Sequence, residues 1–253
     1  MTTISEKTVL VTGGGGGIGR ITAATFATQG YRVAVSDIQP DTVKETVELI
    51  QAAGGKADAF ITDIGDPAQV AALFESIKSL YGRLDAAFNN AGISSGGNRG
   101  PFADTDDELW ENSVRINLSG TYYCMKQELR MMVAQKRGAI VNNCSVLGIS
   151  GGISAPYTAT KHGIAGLTKS AAMGYGRMNI RVNAVCPGLI NAGMGERIIK
   201  RSAQMAQQLV NFQPIPRPGT GEEVAHTVVW LCSDQSSYIT GHLLPIDGGL
   251  MCQ

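Results

Sequence analysis

Tyr157 and Lys161 stand four residues apart in a segment with helical periodicity, and together they can move a proton. Residues at positions i and i+4 of a helix share a face, so the lysine ammonium can lie beside the phenol. A free phenol has a pKa of about 10, and a fixed cation beside it favours the ionised form. The spacing therefore indicates a tyrosine that acts as a general acid/base near neutral pH.

Spacing alone does not single out this pair, because Tyr122 and Lys126 are also four residues apart. Tyr157 differs in the polar residues that precede it. Ser145 follows a predicted strand, and Asn117 lies on an earlier predicted helix. We predict that these two residues join the later pair in one catalytic group, and we interpret the earlier pair as ordinary helix positions.

A run of five glycines, Gly13 to Gly17, follows a predicted strand and opens a predicted helix. Backbone N–H groups at a helix start, without Cβ atoms around them, can approach a pyrophosphate closely. A flexible loop is the alternative for such a run. The order of strand, loop and helix favours a dinucleotide site.

Asp37 ends the second predicted strand. A carboxylate at this point can accept hydrogen bonds from both hydroxyls of an adenosine ribose. It would repel a 2′-phosphate, so it predicts NAD rather than NADP as the cofactor. A turn-forming role at the strand end is the alternative for this residue.

Two sequence patterns alternate along the chain and predict the strands and helices that hold these residues. Short β-branched runs bounded by turn residues lie at 8–12, 31–37, 56–62, 84–90, 139–144, 180–186 and 242–247. Segments with helical periodicity separate them. The alternation predicts an α/β fold: a doubly wound parallel sheet of about seven strands, flanked by helices.

No interior stretch has the composition of a linker, so we expect a single dinucleotide-binding and catalytic domain over residues 1–253. One segment interrupts the alternation. A helix-like run at 195–210 is followed by three prolines before the next strand. It predicts a substrate lid at about 190–217.

Composition narrows the possible partners. Lys plus Arg and Asp plus Glu each number 21, so no basic field is available for nucleic acid or an anionic membrane. Hydrophobic residues make up 43%, enough to bury a core. The longest uncharged stretch, 138–160, contains too many Ser, Asn, Gly and Pro residues for a membrane helix.

Cysteine and histidine usage points away from disulfides and metals. The five cysteines are an odd number without a CxxC pair, which predicts reduced thiols in a cytoplasmic protein. The amino terminus shows no secretory signal pattern. The three histidines are scattered without carboxylate or cysteine partners at ligand spacing, so we predict no metal site.

Several short motifs occur in one order along the chain: TGGGGGIG at 12–19, NNAG at 89–92, RINLSG around Asn117, NNCSVLG around Ser145, YTATK at 157–161, PG at 187–188 and DGG at 247–249. Together they resemble the short-chain dehydrogenase/reductase family. The resemblance covers essentially the whole chain. It implies a Rossmann-type fold and an enzyme that transfers hydride.

The resemblance also implies roles for individual residues. Tyr157 would be the acid/base, Ser145 would hydrogen-bond the substrate oxygen, and Lys161 would promote the phenolate and hold the nicotinamide ribose. Asn117 would support a water relay, and Asp63 would contact adenine. The implied cofactor-binding set is Gly13, Gly17, Ile18, Gly19, Asp37, Asp63, Ile64, Asn90, Ala91, Gly92, Tyr157, Lys161, Pro187, Gly188 and Ile190.

Three positions depart from the usual pattern of the family. The residue before the second motif glycine is often basic in members that use NADP, and here it is Gly16. Many members carry Thr four residues after the PG glycine, where it contacts the carboxamide, and this chain has Ala192. We expect Asn191 or a backbone group to compensate. Cys144 stands where Ser is common, and we interpret it as a small buried residue.

The predicted function is NAD(H)-dependent interconversion of a neutral secondary alcohol and a ketone. A neutral substrate follows from the segment 145–157, which has no charged side chain. The cations of the predicted lid (Arg197, Lys200 and Arg201) are the reservation. The alternatives are a 3-oxoacyl-thioester reductase and a dinucleotide-sensing module without catalysis. By family resemblance we expect a homotetramer or homodimer formed through helices at about 106–134 and 155–177.

Overall fold

A computed structural model of the chain describes residues 6–94 and 102–252. Within them, seven parallel strands form one sheet in the order β3-β2-β1-β4-β5-β6-β7. The strands are β1 Thr8–Thr12, β2 Arg32–Asp37, β3 Lys56–Ile61, β4 Ala86–Asn89, β5 Gly138–Asn143, β6 Ile180–Pro187 and β7 Leu243–Ile246. Each coincides with a predicted run to within two residues, so the α/β prediction is confirmed.

Helices cover both faces of the sheet. They are α1 Gly17–Thr28, α2 Pro40–Ala52, α3 Pro67–Tyr81, α4 Asp107–Ser113, α5 Thr121–Gln135, α6 Ala155–Tyr175, α7 Met194–Arg201, α8 Ala203–Val210 and α9 Gly221–Cys232. A π-helical segment, Val114–Gly120, joins α4 to α5 without a break.

The two faces of the sheet follow from the side-chain alternation of its strands. In β1, Val9 and Val11 pack in a core cluster with α1, α2 and α9. Leu10 packs on the opposite face in a second cluster, with α3, α5 and α6. Because helices cover both faces of the sheet, apolar side chains follow one another along β1 instead of alternating with polar ones.

Helix α3 shows how local signals set the limits of an element. Asp66 caps its first turn by accepting a hydrogen bond from the N–H of Ala68 at 2.8 Å. Pro67 occupies the first turn, where its missing N–H costs nothing. Gly82 ends the helix in the left-handed conformation, with φ of 69°.

The strand order places β1 next to β4, and this neighbourhood fixes the site. Successive connections run in opposite directions from β1, so a crevice opens at the carboxyl ends of these two strands. The glycine loop follows β1, and the NNAG motif ends β4. Asp37, Ser145 and Pro187 lie at the same edge of the sheet, at the ends of β2, β5 and β6.

Two details of the helices differ from the sequence pattern. The helix-like run at 195–210 is two helices, α7 and α8, because Ser202 adopts an extended conformation and its side chain caps the N–H of Met205 at 3.2 Å. The helix predicted at about 106–134 contains the π-helical segment around Asn117, which periodicity did not indicate. π-Helical turns commonly occur at functional sites.

Several further properties concern the described part of the chain only. No helix within it is long and apolar enough to cross a membrane. No group of three or more His, Cys, Asp or Glu side chains within it could hold a metal ion. All five cysteines are free thiols; Cys144 is buried and Cys252 is exposed.

Candidate active site

The glycine loop between β1 and α1 lies against the loop that follows β4. A Cβ atom on Gly13 would lie 2.8 Å from the Cα of Ala91 and 2.8 Å from the Nδ2 of Asn90. A Cβ on Gly19 would collide with the carbonyl oxygen of Gly13. Helix α1 has no side-chain cap at Gly16, so its first N–H groups are available to an anion. The loop therefore has the backbone cradle that a pyrophosphate needs.

Asn90 ties this loop to the centre of the sheet. Its Nδ2 donates to the carbonyl oxygens of Thr12 and Gly13 at 3.2 and 3.1 Å, and its Oδ1 accepts from the Nδ2 of Asn143 at 2.8 Å. The N–H groups of Asn90 and Ala91 both donate to the Oγ1 of Thr12. The predicted position of Asn90 and Ala91 beside the dinucleotide thus has a rigid hydrogen-bonded frame.

Asp37 lies beside the glycine loop at the end of β2. Its Oδ2 accepts from the N–H of Gly15 at 3.0 Å, and its Oδ1 accepts from the N–H of Ile38 at 2.8 Å. Arg20, the cation nearest to the loop in sequence, pairs with Glu45 at 2.8 Å instead of with Asp37. Asp37 therefore lies beside the cradle without an ion pair to this arginine.

Asp63 and Ile64 follow β3, and their side chains differ in exposure. Asp63 accepts from the N–H of Gly65 at 2.8 Å and forms an ion pair with Arg115 at 2.8 Å. Its side chain is partly exposed. The side chain of Ile64 is buried in the second core cluster, against Gly120 of the π-helical segment. Asp63, the predicted adenine contact, therefore presents its side chain, whereas Ile64, which was predicted only as a cofactor-binding residue, does not.

Lys161 is anchored to strand β5 while it faces Tyr157. Its side chain is buried, its Nζ donates to the carbonyl oxygen of Asn143 at 2.7 Å, and the same atom lies 5.4 Å from the centre of the Tyr157 ring. Ser145 lies two residues after that carbonyl and is also buried. The Oγ of Ser145 accepts from the N–H of Leu147 at 3.1 Å, which leaves the hydroxyl proton to donate elsewhere.

Asn117 lies in the π-helical segment and is 1% exposed. Its side chain pairs with the backbone of Ile93, accepting from the N–H at 2.8 Å and donating to the carbonyl at 3.0 Å. Its Nδ2 also lies 3.4 Å from the Oγ1 of Thr160, the neighbour of Lys161. A Cβ on Gly92 would lie 3.1 Å from its Oδ1. The amide thus joins the loop after β4 to helix α6.

The turn after β6 is held by the carboxyl-terminal segment. The N–H of Gly188 donates to the carbonyl oxygen of Ile246 at 2.9 Å, and a Cβ on Gly188 would lie 3.1 Å from the Cα of Asp247. The DGG motif therefore packs on Gly188. Pro187 is the last residue of β6.

The residues after this turn include Ala192, which stands where many family members carry Thr. Ile190 and Ala192 are buried in the first core cluster, and Ala192 lies against Gly221 at the start of α9. Asn191 is exposed, and its N–H donates to the carbonyl oxygen of Gly219 at 2.7 Å. Ala192 therefore acts as a core residue, and the side chain of Ile190 does not face the crevice.

The residues at this edge of the sheet fit a nicotinamide dinucleotide. The cradle is lined by backbone that excludes Cβ atoms, as a close approach to phosphates requires. The buried ammonium of Lys161 forms no ion pair with a carboxylate in residues 6–94 and 102–252. Ribose hydroxyls would supply the missing acceptors.

Sequence reasoning missed three supporting residues. Thr12 and Asn143 organise the loops around Asn90 and Lys161, and Arg115 neutralises Asp63. The doubled asparagines at the ends of β4 and β5 were the available signal, because asparagines at the carboxyl ends of adjacent strands lie close enough to pair. Nothing in the local pattern around Arg115 indicated its long-range contact.

Comparison with known proteins identifies the family. The model described as Enoyl-(Acyl carrier protein) reductase matches residues 14–251. A 2,5-dichloro-2,5-cyclohexadiene-1,4-diol dehydrogenase from Sphingobium indicum is 41% identical over 98% of this chain and 98% of its own. A cyclohexanol dehydrogenase from an Acinetobacter species is 39% identical over 96% and 94%. The chain therefore belongs to the short-chain dehydrogenase/reductase family, and it is an oxidoreductase.

A solved structure extends the comparison to the fold. It is described as a 2-deoxy-D-gluconate 3-dehydrogenase from Agrobacterium tumefaciens with bound NADP. Its TM-score is 0.88, with 31% identity over 99% of this chain and 98% of that chain. The family uses a nicotinamide dinucleotide, and because this similar protein binds NADP, the choice between NAD and NADP depends on residues of the individual chain.

Proposed function

We propose that this protein interconverts a neutral cyclic secondary alcohol and its ketone with NAD(H). The observation that carries the proposal is the anchoring of Lys161 on the carbonyl oxygen of Asn143, with its ammonium 5.4 Å from the Tyr157 ring. A buried cation in a fixed position stabilises a phenolate beside it. A phenolate is the base that alcohol oxidation needs.

The proposed proton path uses the side chains of Ser145 and Tyr157. Ser145 donates its free O–H to the substrate oxygen and orients it, and Tyr157 takes the hydroxyl proton of the alcohol. The C–H bond at the carbon that carries the hydroxyl breaks, its electron pair leaves with the hydrogen as hydride, and the C–O bond becomes a carbonyl. Bound NAD would accept that hydride, and Tyr157 returns the proton in the reverse direction.

Each end of the dinucleotide would have its own group of residues. Gly13, Gly17, Ile18 and Gly19 would hold the pyrophosphate, and Asp37 and Asp63 the adenosine. Asn90, Ala91 and Gly92, with Gly188, would flank the nicotinamide, and Lys161 would bind its ribose. The uncompensated charge of Asp37 supports NAD over NADP, because a 2′-phosphate beside it would be repelled.

Two observations support a neutral substrate. The segment 145–157 has no charged side chain, and Ile153 in it is exposed. The cations of α7 point to solvent: Arg197, Lys200 and Arg201 are exposed, and Lys200 pairs with Glu196. The cyclic character is inferred from the two relatives named for ring alcohols.

The segment 190–217 is proposed as the substrate lid. Helices α7 and α8 pack on each other and on Leu189 through a small apolar cluster that contains Ala206, Val210, Ile198 and Ile199. The 93–100 loop, also expected to shape the pocket, lies largely outside the described residues.

The 3-oxoacyl-thioester reductase is the second candidate, supported by the acyl-carrier description of the family model. It would need NADPH and a basic surface for its carrier protein, and Asp37 opposes the first requirement. A dinucleotide sensor is the third candidate. The presence of Ser145, Tyr157 and Lys161 together opposes it, because a sensor has no need of a base.

We also propose that the protein assembles as a homotetramer or homodimer. Large apolar side chains are exposed on the helices expected to form the interface: Trp110 on α4, Tyr122 on α5 and Met173 on α6, the last at 87% exposure. A second copy of the chain would cover them.

The function is tested by incubating the purified full chain with NAD and three matched substrates, while NADH formation is followed by absorbance. The substrates are cyclohexanol, a hydroxycyclohexane carboxylate and a 3-hydroxyacyl thioester. We expect turnover of the neutral ring alcohol. Turnover of the thioester alone, with NADP, would favour the second candidate, and cofactor binding without turnover of any alcohol would favour the sensor.

A further inference from the structure

The proposed lid begins with a tight turn at Ala192–Gly195. The N–H of Gly195 donates to the carbonyl oxygen of Ala192 at 3.2 Å, and Gly193 has φ of 54° and ψ of −114°. These angles belong to the first central residue of a type II′ turn. A residue with a Cβ atom is strained in that conformation.

The same glycine touches the cofactor loop. A Cβ on Gly17 would lie 2.7 Å from the Cα of Gly193 and 3.0 Å from its nitrogen, so the two backbones are in direct contact. Gly17 also has a positive φ, of 52°. The contact therefore joins the first turn of α1 to the residue that precedes α7, with no side chain between them.

The contact matters because the neighbouring side chain faces the other way. Ala192 is buried against Gly221 and has no hydroxyl to offer the cofactor. Residue 192 can therefore contribute to dinucleotide binding only through its backbone. Gly193 is the backbone point at which the start of the lid meets the glycine loop.

We propose that Gly193 is a positioning residue for the dinucleotide: its contact with Gly17 seats the start of the lid on the glycine loop and sets the affinity for the cofactor. This inference rests on the dinucleotide binding proposed above. It identifies Gly193 as a residue that acts through Gly17. In this chain, Ala192 has no hydroxyl, and Gly193 anchors the start of the lid instead.

The test is NADH binding to Gly193→Ala, measured by fluorescence titration. The matched control is Gly82→Ala: Gly82 also has a positive φ, 69°, with open space around its Cβ position and no part in the site. Both changes introduce backbone strain. We expect Gly193→Ala to raise the Kd for NADH by about tenfold, since small misplacements at a site weaken its contacts, and Gly82→Ala to leave it unchanged.

Two further readouts, thermal unfolding and steady-state turnover, separate the possible outcomes. Thermal unfolding without cofactor should show a larger loss for Gly193→Ala than for Gly82→Ala, because ψ of −114° at Gly193 lies outside the left-handed region that alanine can adopt and ψ of −7° at Gly82 lies within it. In turnover, Gly193→Ala should raise the KM for NAD more than it lowers kcat. A loss of stability with an unchanged Kd would overturn the inference and leave only a strained turn. If the wild type binds neither NADH nor NADPH, the proposed function itself fails.

Hydrogen exchange of the wild type tests the same contact without any variant, should Gly193→Ala fail to fold. Addition of NADH should protect the amides of residues 17–20 and 193–197 together. Protection of the glycine loop with no change at 193–197 would contradict the coupling.

Discussion

The ammonium nitrogen of Lys161 lies 5.4 Å from the centre of the Tyr157 ring. Its hydrogen bond to the carbonyl oxygen of Asn143 fixes it to the sheet rather than to helix α6 alone. Because Lys161 is buried, water screens its charge weakly. The proposed acid/base chemistry depends on this relationship, and the first two predictions test its two members separately.

Tyr157→Phe is expected to lower kcat by at least about 10²-fold, the usual contribution of a positioned acid/base, while NADH still binds. The loss follows because phenylalanine cannot accept the alcohol proton, whereas Lys161 and the glycine loop are retained. Turnover assays and NADH titration measure the two effects. Tyr122→Phe, which changes the tyrosine of the equivalent helical spacing, serves as the control; near-wild-type turnover by Tyr157→Phe would remove the assigned base.

Lys161→Met is expected to impair both turnover and cofactor binding. The variant keeps the length of the side chain but loses the cation beside Tyr157 and the proposed donor to the ribose. Steady-state kinetics should show a lower kcat together with a higher KM for NAD. Lys126→Met is the control, because Lys126 is exposed and stands four residues after Tyr122, and it should change neither kcat nor the KM for NAD. An effect of Lys161→Met on kcat alone would argue against a contact between Lys161 and the ribose.

Much of the fold was available from the sequence, because local patterns encode it. The strand β1 was predicted at its observed limits, since a run of five buried residues bounded by turn residues has few alternatives. Spacing also placed Tyr157 and Lys161 on one helix face. The anchoring of Lys161 on Asn143 was not predictable, because it joins α6 to β5 through a backbone carbonyl.

Two further features of the structure were not predicted from the sequence, each for a physical reason. The π-helical segment around Asn117 differs from an α-helix by its hydrogen-bond register, which leaves little trace in apolar periodicity. The break at Ser202 depends on one residue that adopts an extended conformation and caps α8. A serine inside a helical pattern gives only a weak signal of this kind.

Substitution of Asp37 is expected to reduce the preference for NAD over NADP. Asp37→Asn removes the negative charge and keeps an acceptor for the N–H of Gly15, whereas Asp37→Ala removes both. Loss of one repulsive charge corresponds to a change of about tenfold in the ratio of kcat/KM values. A wild type that prefers NADPH, or an unchanged ratio in Asp37→Asn, would refute the role of this carboxylate.

Glu128 predicts a pH dependence of stability. It is fully buried on α5, accepts from the Nδ2 of Asn89 at 3.0 Å, and its Oε1 has no hydrogen-bond partner in the described part of the chain. Burial raises the pKa of Glu128 to about 8. The folded state thus holds a proton that the unfolded state releases above its ordinary pKa, so this stabilisation is complete at acidic pH and is lost as the pH rises toward 8.

Glu128→Gln tests this effect, because the amide keeps the shape and cannot ionise. Urea unfolding across that range should show that the stability of the wild type falls relative to the variant by at most about 1.4 kcal/mol per pH unit. A constant difference between the two proteins at all pH values would contradict a protonated Glu128.

The exposed apolar side chains on α4, α5 and α6 predict an oligomer. Light scattering at micromolar concentration should give two or four times the chain mass of 26.6 kDa. Met173→Glu, which places a charge on the most exposed of these side chains, should shift the mass toward the monomer. A wild-type monomer would refute the proposed interface.

The rate of NADH formation, when the wild-type protein is given NAD and a neutral cyclic secondary alcohol, is the most direct test of the proposed hydride transfer. We expect saturable turnover, with a higher kcat/KM for NAD than for NADP and for cyclohexanol than for a matched ring alcohol that carries a carboxylate. A preference for the carboxylate, or no turnover of any secondary alcohol in a protein that binds the dinucleotide, would contradict the proposed function.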